Sequence, residues 1–363
     1  GRHHRGHGGP QIPRRYGHGP IMSTCAIVSF RLGGTDGVSI VAEAWATSLT
    51  ELGFAVRTVA GEGPVDRLVP GLAIDAVAPP SAGDLDEALA DADLVVVENL
   101  ATIPLNLPAA RVVSAVLAGR PAILHHHDPP WQRARFAHIT ELPPTDPAWR
   151  HVCINRRTRS ELAWRGIEAV TIYNGFDPDP PPGDRDGTRS ALGVAPDETL
   201  LVHPVRAIER KNVPAALALA EAVGGTYWLP GGAEEGYGPT LEGLLAGAGC
   251  RVIHRAWSGR SDLYAAADAV LFPSTWEGFG NPPVEAALHG RQAVVGDYPV
   301  AHELRALGFQ WLPDDDPAPL AAWLAAPDPA VLAHNRSVAE THLSLAAQTE
   351  ALRTLLDQAG WLP

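Results

Sequence analysis

Two doubly wound α/β domains in one chain are what this sequence predicts, and three observations carry the prediction. Short apolar runs of strand length recur along the 363 residues and alternate with helix-length stretches. A Pro- and Asp-rich interruption, Asp177-Pro-Asp-Pro-Pro-Pro-Gly-Asp-Arg-Asp-Gly, divides those runs into two sets and reads as an exposed linker. With 45% hydrophobic residues, the length provides two cores of ordinary size.

Along the chain, residues 1–21 come first and show no apolar period. His3, His4, His7 and His18 stand there among Gly, Arg and Pro. Met22 is the only methionine, so the native start is expected at Met22, with 1–21 a disordered extension rather than a metal site. The first domain is expected over 22–176, with strands near 25–30, 54–59, 94–97, 122–124, 151–154 and 168–172 and helices near 38–52 and 84–90. The linker is placed at 177–190. The second domain, 191–337, has strands expected near 199–203, 226–229, 251–254, 269–272, 292–295 and 309–312. In the tail, 338–363, Leu345, Leu352, Leu355, Leu356 and Ala359 repeat at helical spacing and Gly360 stops the pattern.

Composition excludes several classes of partner. A formal net charge of −13, with no basic stripe interleaved with aromatics, argues against nucleic acid. No apolar stretch approaches the ~20 residues of a membrane span and no charged-then-apolar leader is visible, so a cytoplasmic protein is expected. Cys25, Cys153 and Cys250 lie too far apart for a zinc knuckle and give no disulfide framework.

The richest segment is Ala269-Val-Leu-Phe-Pro-Ser-Thr-Trp-Glu-Gly-Phe-Gly-Asn-Pro-Pro-Val-Glu-Ala-Ala-Leu. It reads as a buried strand ending at Pro273, a tight loop, and a helix opened by Pro282 or Pro283 and closed before Gly290. Gly278 and Gly280 permit a ligand to approach the backbone, and amides at Gly278, Phe279, Gly280 and Asn281 suit an anion or sugar oxygens. Glu277 and Glu285 are separated by seven residues. One turn into the helix, Glu285 can accept both hydrogen bonds of a ribose diol. A capping arrangement with two solvated acids accounts for the same residues.

Upstream, another apolar strand is followed by Arg206 and Lys211. Arginine and lysine total 28, and Lys211 is the single lysine, so the other 27 cations are arginines. An ammonium kept here suits a compact charge on a diphosphate beside a planar guanidinium. Codon bias alone would also leave one lysine.

These two segments, in this order and spacing, resemble the donor-binding signature of the family 4 GT-B glycosyltransferases, and the likeness runs from about Cys25 to the C-terminal helix. The resemblance implies two Rossmann-like domains facing a central cleft, with a terminal helix crossing back onto the first. It also implies a retaining transfer of a hexose from a nucleoside-diphosphate sugar to a hydroxyl acceptor, whether saccharide, lipid or small molecule.

Residue roles follow by resemblance. Arg206 and Lys211 neutralise the diphosphate, Glu285 holds the ribose, and Glu277 with the amides after it holds the sugar. Gly33 and Gly34, after the first strand, match a glycine turn beside the donor phosphate or acceptor. In His125-His-His-Asp128, His127 matches a histidine beside the transferred sugar. Asn174-Gly175 matches the hinge segment, although an ordinary turn explains it equally. Trp131 offers a face for a sugar, or simply core packing.

No metal and no other cofactor is expected, because Arg206, Lys211 and a helix N-terminus already supply the positive field. Consecutive histidines cannot all face one ion, and no further ligand is evident beside them. A phosphorylase would need a second lysine for pyridoxal phosphate, and a glycoside hydrolase would not need Arg206 and Lys211. A nucleotide- or sugar-binding protein of the same fold, without transfer, remains the alternative.

Overall fold

The computed structural model describes residues 23–34 and 36–363. The expectations for residues 1–21 and for Met22 lie outside the described residues. Two all-parallel sheets organise the remainder.

The first sheet contains β1 (Thr24–Arg31), β2 (Ala55–Glu62), β3 (Arg67–Leu68), β4 (Leu94–Glu98), β5 (Ala122–His126), β6 (Trp149–Cys153) and β7 (Val170–Thr171), in the order β3-β2-β1-β4-β5-β6-β7. Its crossovers include α1 (Gly37–Glu51), α2 (Ala82–Ala88), α3 (Leu107–Leu117) and α4 (Arg156–Ala163). Asp36 caps α1 by accepting from the Val38 and Ser39 amides. Helices cover both faces of the sheet, so β4 and β5 are buried along their whole lengths and read as continuous apolar runs until polar residues appear at their C-terminal ends.

After α5 (Arg185–Leu192) the second sheet is built from β8 (Leu200–Val202), β9 (Thr226–Leu229), β10 (Val252–His254), β11 (Ala269–Phe272) and β12 (Ala293–Val295), in the order β10-β9-β8-β11-β12. Between and after these strands lie α6 (Val213–Ala222), α7 (Gly238–Ala246), α8 (Arg260–Ala266), α9 (Asn281–Leu288), α10 (Pro299–Arg305), α11 (Ala318–Ala325), α12 (Pro329–Leu343) and α13 (Leu345–Ala359). None of the described helices is long and apolar enough to cross a membrane.

Three expectations need correction. Residues 309–312 form no strand beyond a single bridge from Leu312 to Val294, and their apolar character serves core packing, with the Phe309 and Trp311 rings stacked 4.5 Å apart. The linker is shorter than 177–190, because Asp184 accepts from the Gly187 amide and starts α5 at Arg185. The tail does not turn back at 338. Ser344 is extended and caps α13, while Phe176 bonds the chain on either side of it: the Phe176 amide donates to Leu343 and its carbonyl accepts from Leu345. Val338, Ala339 and Leu343 therefore belong to the core of the second sheet. Leu352, Leu355 and Leu356 pack with Trp45 and Leu49 of the first. Asn174-Gly175 lies at this crossing, with the Gly175 amide donating to Gln348 at 2.7 Å.

Candidate active site

In open parallel sheets, ligand sites form beyond the carboxyl ends of the strands. Loops leaving β5 and β6 meet the loop leaving β11 there. A Cβ at Gly278 would sit 3.2 Å from the His127 carbonyl oxygen, and Asn155 donates to the Gly278 carbonyl at 2.6 Å. Asn174 donates to the Asn281 side chain at 3.0 Å. His127, Gly278 and Asn281 thus lie along one contact between the two sheets, as their positions at strand ends suggested.

Behind that contact sits a buried ionic cluster. Lys211 Nζ lies 2.5 Å from Glu277 Oε1, and Arg210 donates at 2.6 Å to Oε2 and at 2.9 Å to the Trp276 carbonyl. Local geometry explains the convergence. A short turn, Glu209–Lys211, ends on Asn212 in the left-handed region at φ 54°, and the Thr275 amide donates to the Arg210 carbonyl, tying this turn to the β11 loop. Sequence reading passed over Arg210, because it stood beside the conspicuous lysine.

Arg206 is placed differently. It is 41% exposed and pairs with Glu234 at 2.5 Å, outside the buried cluster but close enough to repel the Lys211 ammonium. Lys211 itself is only 9% accessible.

Burial and pairing set the ionisation of the cluster. Burial alone would raise the Glu277 carboxyl, but attraction to Lys211 and Arg210 outweighs it and holds the group at about 2. Burial lowers the Lys211 ammonium to about 8 against the opposing pull of Glu277, with repulsion from Arg210 adding to the fall. Arg210 Nε, Trp276 Nε1 and His203 Nε2 are buried nearby without a protein partner. Native proteins leave few such atoms, and their concentration around one ion pair fits a site kept for a polar ligand.

The β11 loop supplies backbone donors. Gly280 caps α9 at φ 110°, and a Cβ there would meet the Tyr298 hydroxyl at 2.3 Å, so only glycine fits. Pro282 and Pro283 carry no N–H, which concentrates the available donors on residues 278–281. Among the described residues, none of those four amides bonds within the protein. The Phe279 side chain, by contrast, is core, packed toward Tyr173 and Phe176.

Glu285 lies farther along α9, accepting from the Tyr264 hydroxyl at 2.5 Å and from Arg260 at 2.9 Å. Gly33 and Gly34 follow β1, with Gly33 at φ 76°; their near neighbours are Pro64, Asp36 and Ser39. Trp131 donates to Glu161, while Arg165 covers one face of its ring at 3.9 Å.

A fourth group was missed by sequence reading. His125 and His127, two apart on an extended segment, point to the same side, and Glu98 at the end of β4 meets both: His125 Nδ1 at 2.9 Å and His127 Nε2 at 2.8 Å from Oε2. His126 faces the other way, toward Thr102 and His151. Ligand atoms of Glu98, His125 and His127 lie within 4.8 Å of one another, so the missing third partner for a metal does exist in space. The hydrogen bonds from both rings to Glu98 also hold the three residues together. The signal available in the sequence was a polar pair, Glu98-Asn99, closing an apolar strand at its ligand-facing end. Asp-x-Asp triplets such as Asp84/Asp86, Asp91/Asp93, Asp177/Asp179 and Asp184/Asp186 are exposed and touch none of these groups.

Acid should unfold the protein for a reason visible here. Glu98, like Glu277, is held at about 2, burial being outweighed by the N–H bonds from His125 and His127 and by attraction to rings that carry charge in acid. Because both carboxyls sit lower in the folded chain than their ordinary 4.5, the stability they supply is present above pH 4.5 and lost as pH falls toward 2. Each shift corresponds to roughly 3 kcal/mol. Urea midpoints measured from pH 7 to pH 3 should fall steeply below about pH 4.5; a flat profile between pH 5 and pH 3 would contradict this assignment.

No family model matches the chain. A mannosylglucosylglycerate synthase from Thermotoga maritima is 26% identical over 359 residues, covering 79% of this chain and 84% of that protein. A D-inositol 3-phosphate glycosyltransferase from Segniliparus rotundus is 33% identical over 165 residues, 40% of this chain and 37% of the relative. Among solved structures, an Anabaena protein in complex with UDP-glucose superposes with a TM-score of 0.69 at 19% identity, covering 93% of this chain and 100% of the other. Sucrose-phosphate synthase from Thermosynechococcus elongatus gives 0.70 at 16% identity, over 93% and 98%. Those structures fix the fold as GT-B, and with the sequence relatives they make this chain a glycosyltransferase enzyme.

Proposed function

We propose that the chain is a retaining, metal-independent glycosyltransferase of family 4 type, moving a hexose from a nucleoside-diphosphate sugar to a hydroxyl. The observation that carries this reading is the buried Lys211–Glu277–Arg210 cluster directly behind the free amides of residues 278–281. An anion at those amides lies beside fixed cations, which is what a departing diphosphate requires. A hexosyl donor is supported by relatives named for mannosyl-containing products and by a neighbour solved with UDP-glucose.

In this reading Lys211 and the amides of the β11 loop hold the diphosphate, with Arg206 reaching it from the exposed rim. Arg210 fixes Glu277. The Glu277 carboxylate orients Lys211 and, with the loop amides, receives sugar hydroxyls. Glu285 takes the ribose, and His127 stands at the sugar from the opposite sheet. The glycosidic C–O bond to phosphate breaks as the acceptor oxygen bonds to the same face of the sugar, and the acceptor's proton passes to the leaving phosphate.

Two outcomes test it. Transfer from a nucleoside-diphosphate hexose, followed by NMR of the product's anomeric proton, should show the donor's configuration retained and should persist in EDTA. Activity abolished by EDTA and restored by manganese or magnesium, or an inverted product, would sink the reading. Glu285→Ala should remove most affinity for the bare nucleoside diphosphate. Because Tyr264 then loses its acceptor, it should also cost about 1–3 kcal/mol of stability. Calorimetry showing unchanged nucleotide affinity would place the ribose elsewhere.

A further inference from the structure

The His127 ring is held by the fully buried Glu98 carboxylate, while its backbone amide is held by Asn99, the residue that follows Glu98. Glu98 takes the ring at Nε2, and Asn99 Oδ1 accepts from the amides of both His127 and Asp128 at 3.1 Å. Asn99 does so from a left-handed conformation, φ 58°, and such a conformation in a non-glycine residue persists only where surrounding structure enforces it. Two adjacent residues at the end of β4 thus clamp one loop, and that loop abuts Gly278.

The hydrogen-bond inventory fixes the proton positions. An ionised carboxylate only accepts, so His127 Nε2 and His125 Nδ1 both carry protons toward Glu98. Their mutual 3.4 Å separation is therefore donor against donor and not a bond. His125 Nε2 is buried without a partner, which a neutral ring tolerates as a bare lone pair and a charged ring would not, since it would bury an orphan donor. On His127, Nδ1 bonds to nothing among the described residues, and 5% of the side-chain surface remains open.

We propose that Glu98 is a positioning residue that locks His127 in the Nε2–H tautomer and leaves Nδ1 as a free acceptor for the hydroxyls of the transferred sugar. The proposal rests on the functional reading above for the sugar, but not for the tautomer. A neutral acceptor at this point orients a sugar hydroxyl without adding a second cation to a site already charged by Lys211 and Arg210.

The test has two arms, so that failure of one reading is separable from failure of the other. Long-range proton–nitrogen NMR of protein labelled in its histidines, with His127 assigned by loss of its signals in His127→Gln, reads the tautomer without any activity. Wild type should show the Nε2–H form. Glu98→Gln puts an NH2 donor where one carboxylate oxygen accepts, and because His125 Nδ1 lies 3.0 and 2.9 Å from the two oxygens and His127 Nε2 lies 2.8 Å from one of them, the pattern of at least one of the two rings should change. Glu98→Asp keeps a carboxylate and should keep the tautomer, which covers the case in which the glutamine variant does not fold.

In the kinetic arm, Glu98→Gln should lower kcat by about a hundredfold while the donor KM stays within about threefold, with partial recovery in Glu98→Asp. A wild-type Nδ1–H tautomer, or unchanged tautomers and rate in Glu98→Gln, would overturn the proposal. So would one tightly held transition-metal ion per chain that is lost on mutating Glu98. A Glu98→Gln change in tautomer without any donor turnover in wild type would uphold the positioning and reject the function.

Discussion

Glu277→Ala should leave a chain that is about 3–5 kcal/mol less stable and does not bind a nucleotide sugar at measurable affinity. Two cations converge on that one carboxylate, Lys211 at 2.5 Å and Arg210 at 2.6 Å, and both are largely withdrawn from water. Removing one partner of a buried ion pair strands the other, and that desolvation cost exceeds what the pair contributed. Here two partners are stranded at once. Relief would come from Lys211 losing its proton, already near at hand with its ammonium at about 8, and a neutral lysine cannot counter a diphosphate. A denaturation curve beside a nucleotide titration reads both effects. Stability within about 0.5 kcal/mol of wild type, the range of an ordinary surface change, would contradict the buried network.

Lys211→Arg separates charge from shape. The ammonium sits 5.0 Å from the Phe272 ring centroid in a tight space, so a planar guanidinium keeps the charge but cannot occupy the same point. The expected result is a folded protein with transfer reduced about a hundredfold, since misplacing a leaving group by an ångström has that order of effect. The pH profile should change too. In wild type, donor affinity should weaken as pH rises through about 8, because the unliganded ammonium gives up its proton there. In the arginine variant that weakening should vanish. Near-normal kinetics and an unaltered pH profile would show Lys211 to be an ordinary buried cation with no ligand in front of it.

How much of this was legible beforehand divides along physical lines. Strands buried on both faces, such as β4 and β11, announce themselves as unbroken apolar runs, and both sheets were read from them. Residues 309–312 defeated the same rule, because Phe309 and Trp311 are apolar for packing and periodicity cannot distinguish a core edge from a ladder. The break at Ser344 was equally hidden. Helical spacing continues across it, and only the long-range bonds to Phe176 reveal it.

At the site, residues whose backbone chemistry matters were the most legible. Gly280 and the prolines after it have conformational demands that act locally, so sequence alone places them. Partners supplied by distant segments were not legible. Arg210 reaches Glu277 from 67 residues away, and Glu98 reaches His127 from 29. Nothing in either local sequence states where those side chains end. Gly33 and Gly34 are conspicuous in sequence, and what the structure adds is local: Gly33 at φ 76° beside Pro64, and Gly34 beside Asp36 and Ser39.

In the function proposed here, cations and backbone amides of this chain form a diphosphate site unaided by metal. The most direct measurement is thermal unfolding in EDTA against a panel of nucleoside diphosphates, run on wild type and on Lys211→Arg. A ligand bound only by the folded chain raises the midpoint with its concentration, by about 2.7 kcal/mol of stabilisation at a hundred times Kd. At least one diphosphate should stabilise wild type in EDTA, with a much smaller gain for Lys211→Arg and none from the matching nucleoside. No stabilisation by any diphosphate, or stabilisation that appears only when a divalent cation is added, would contradict it.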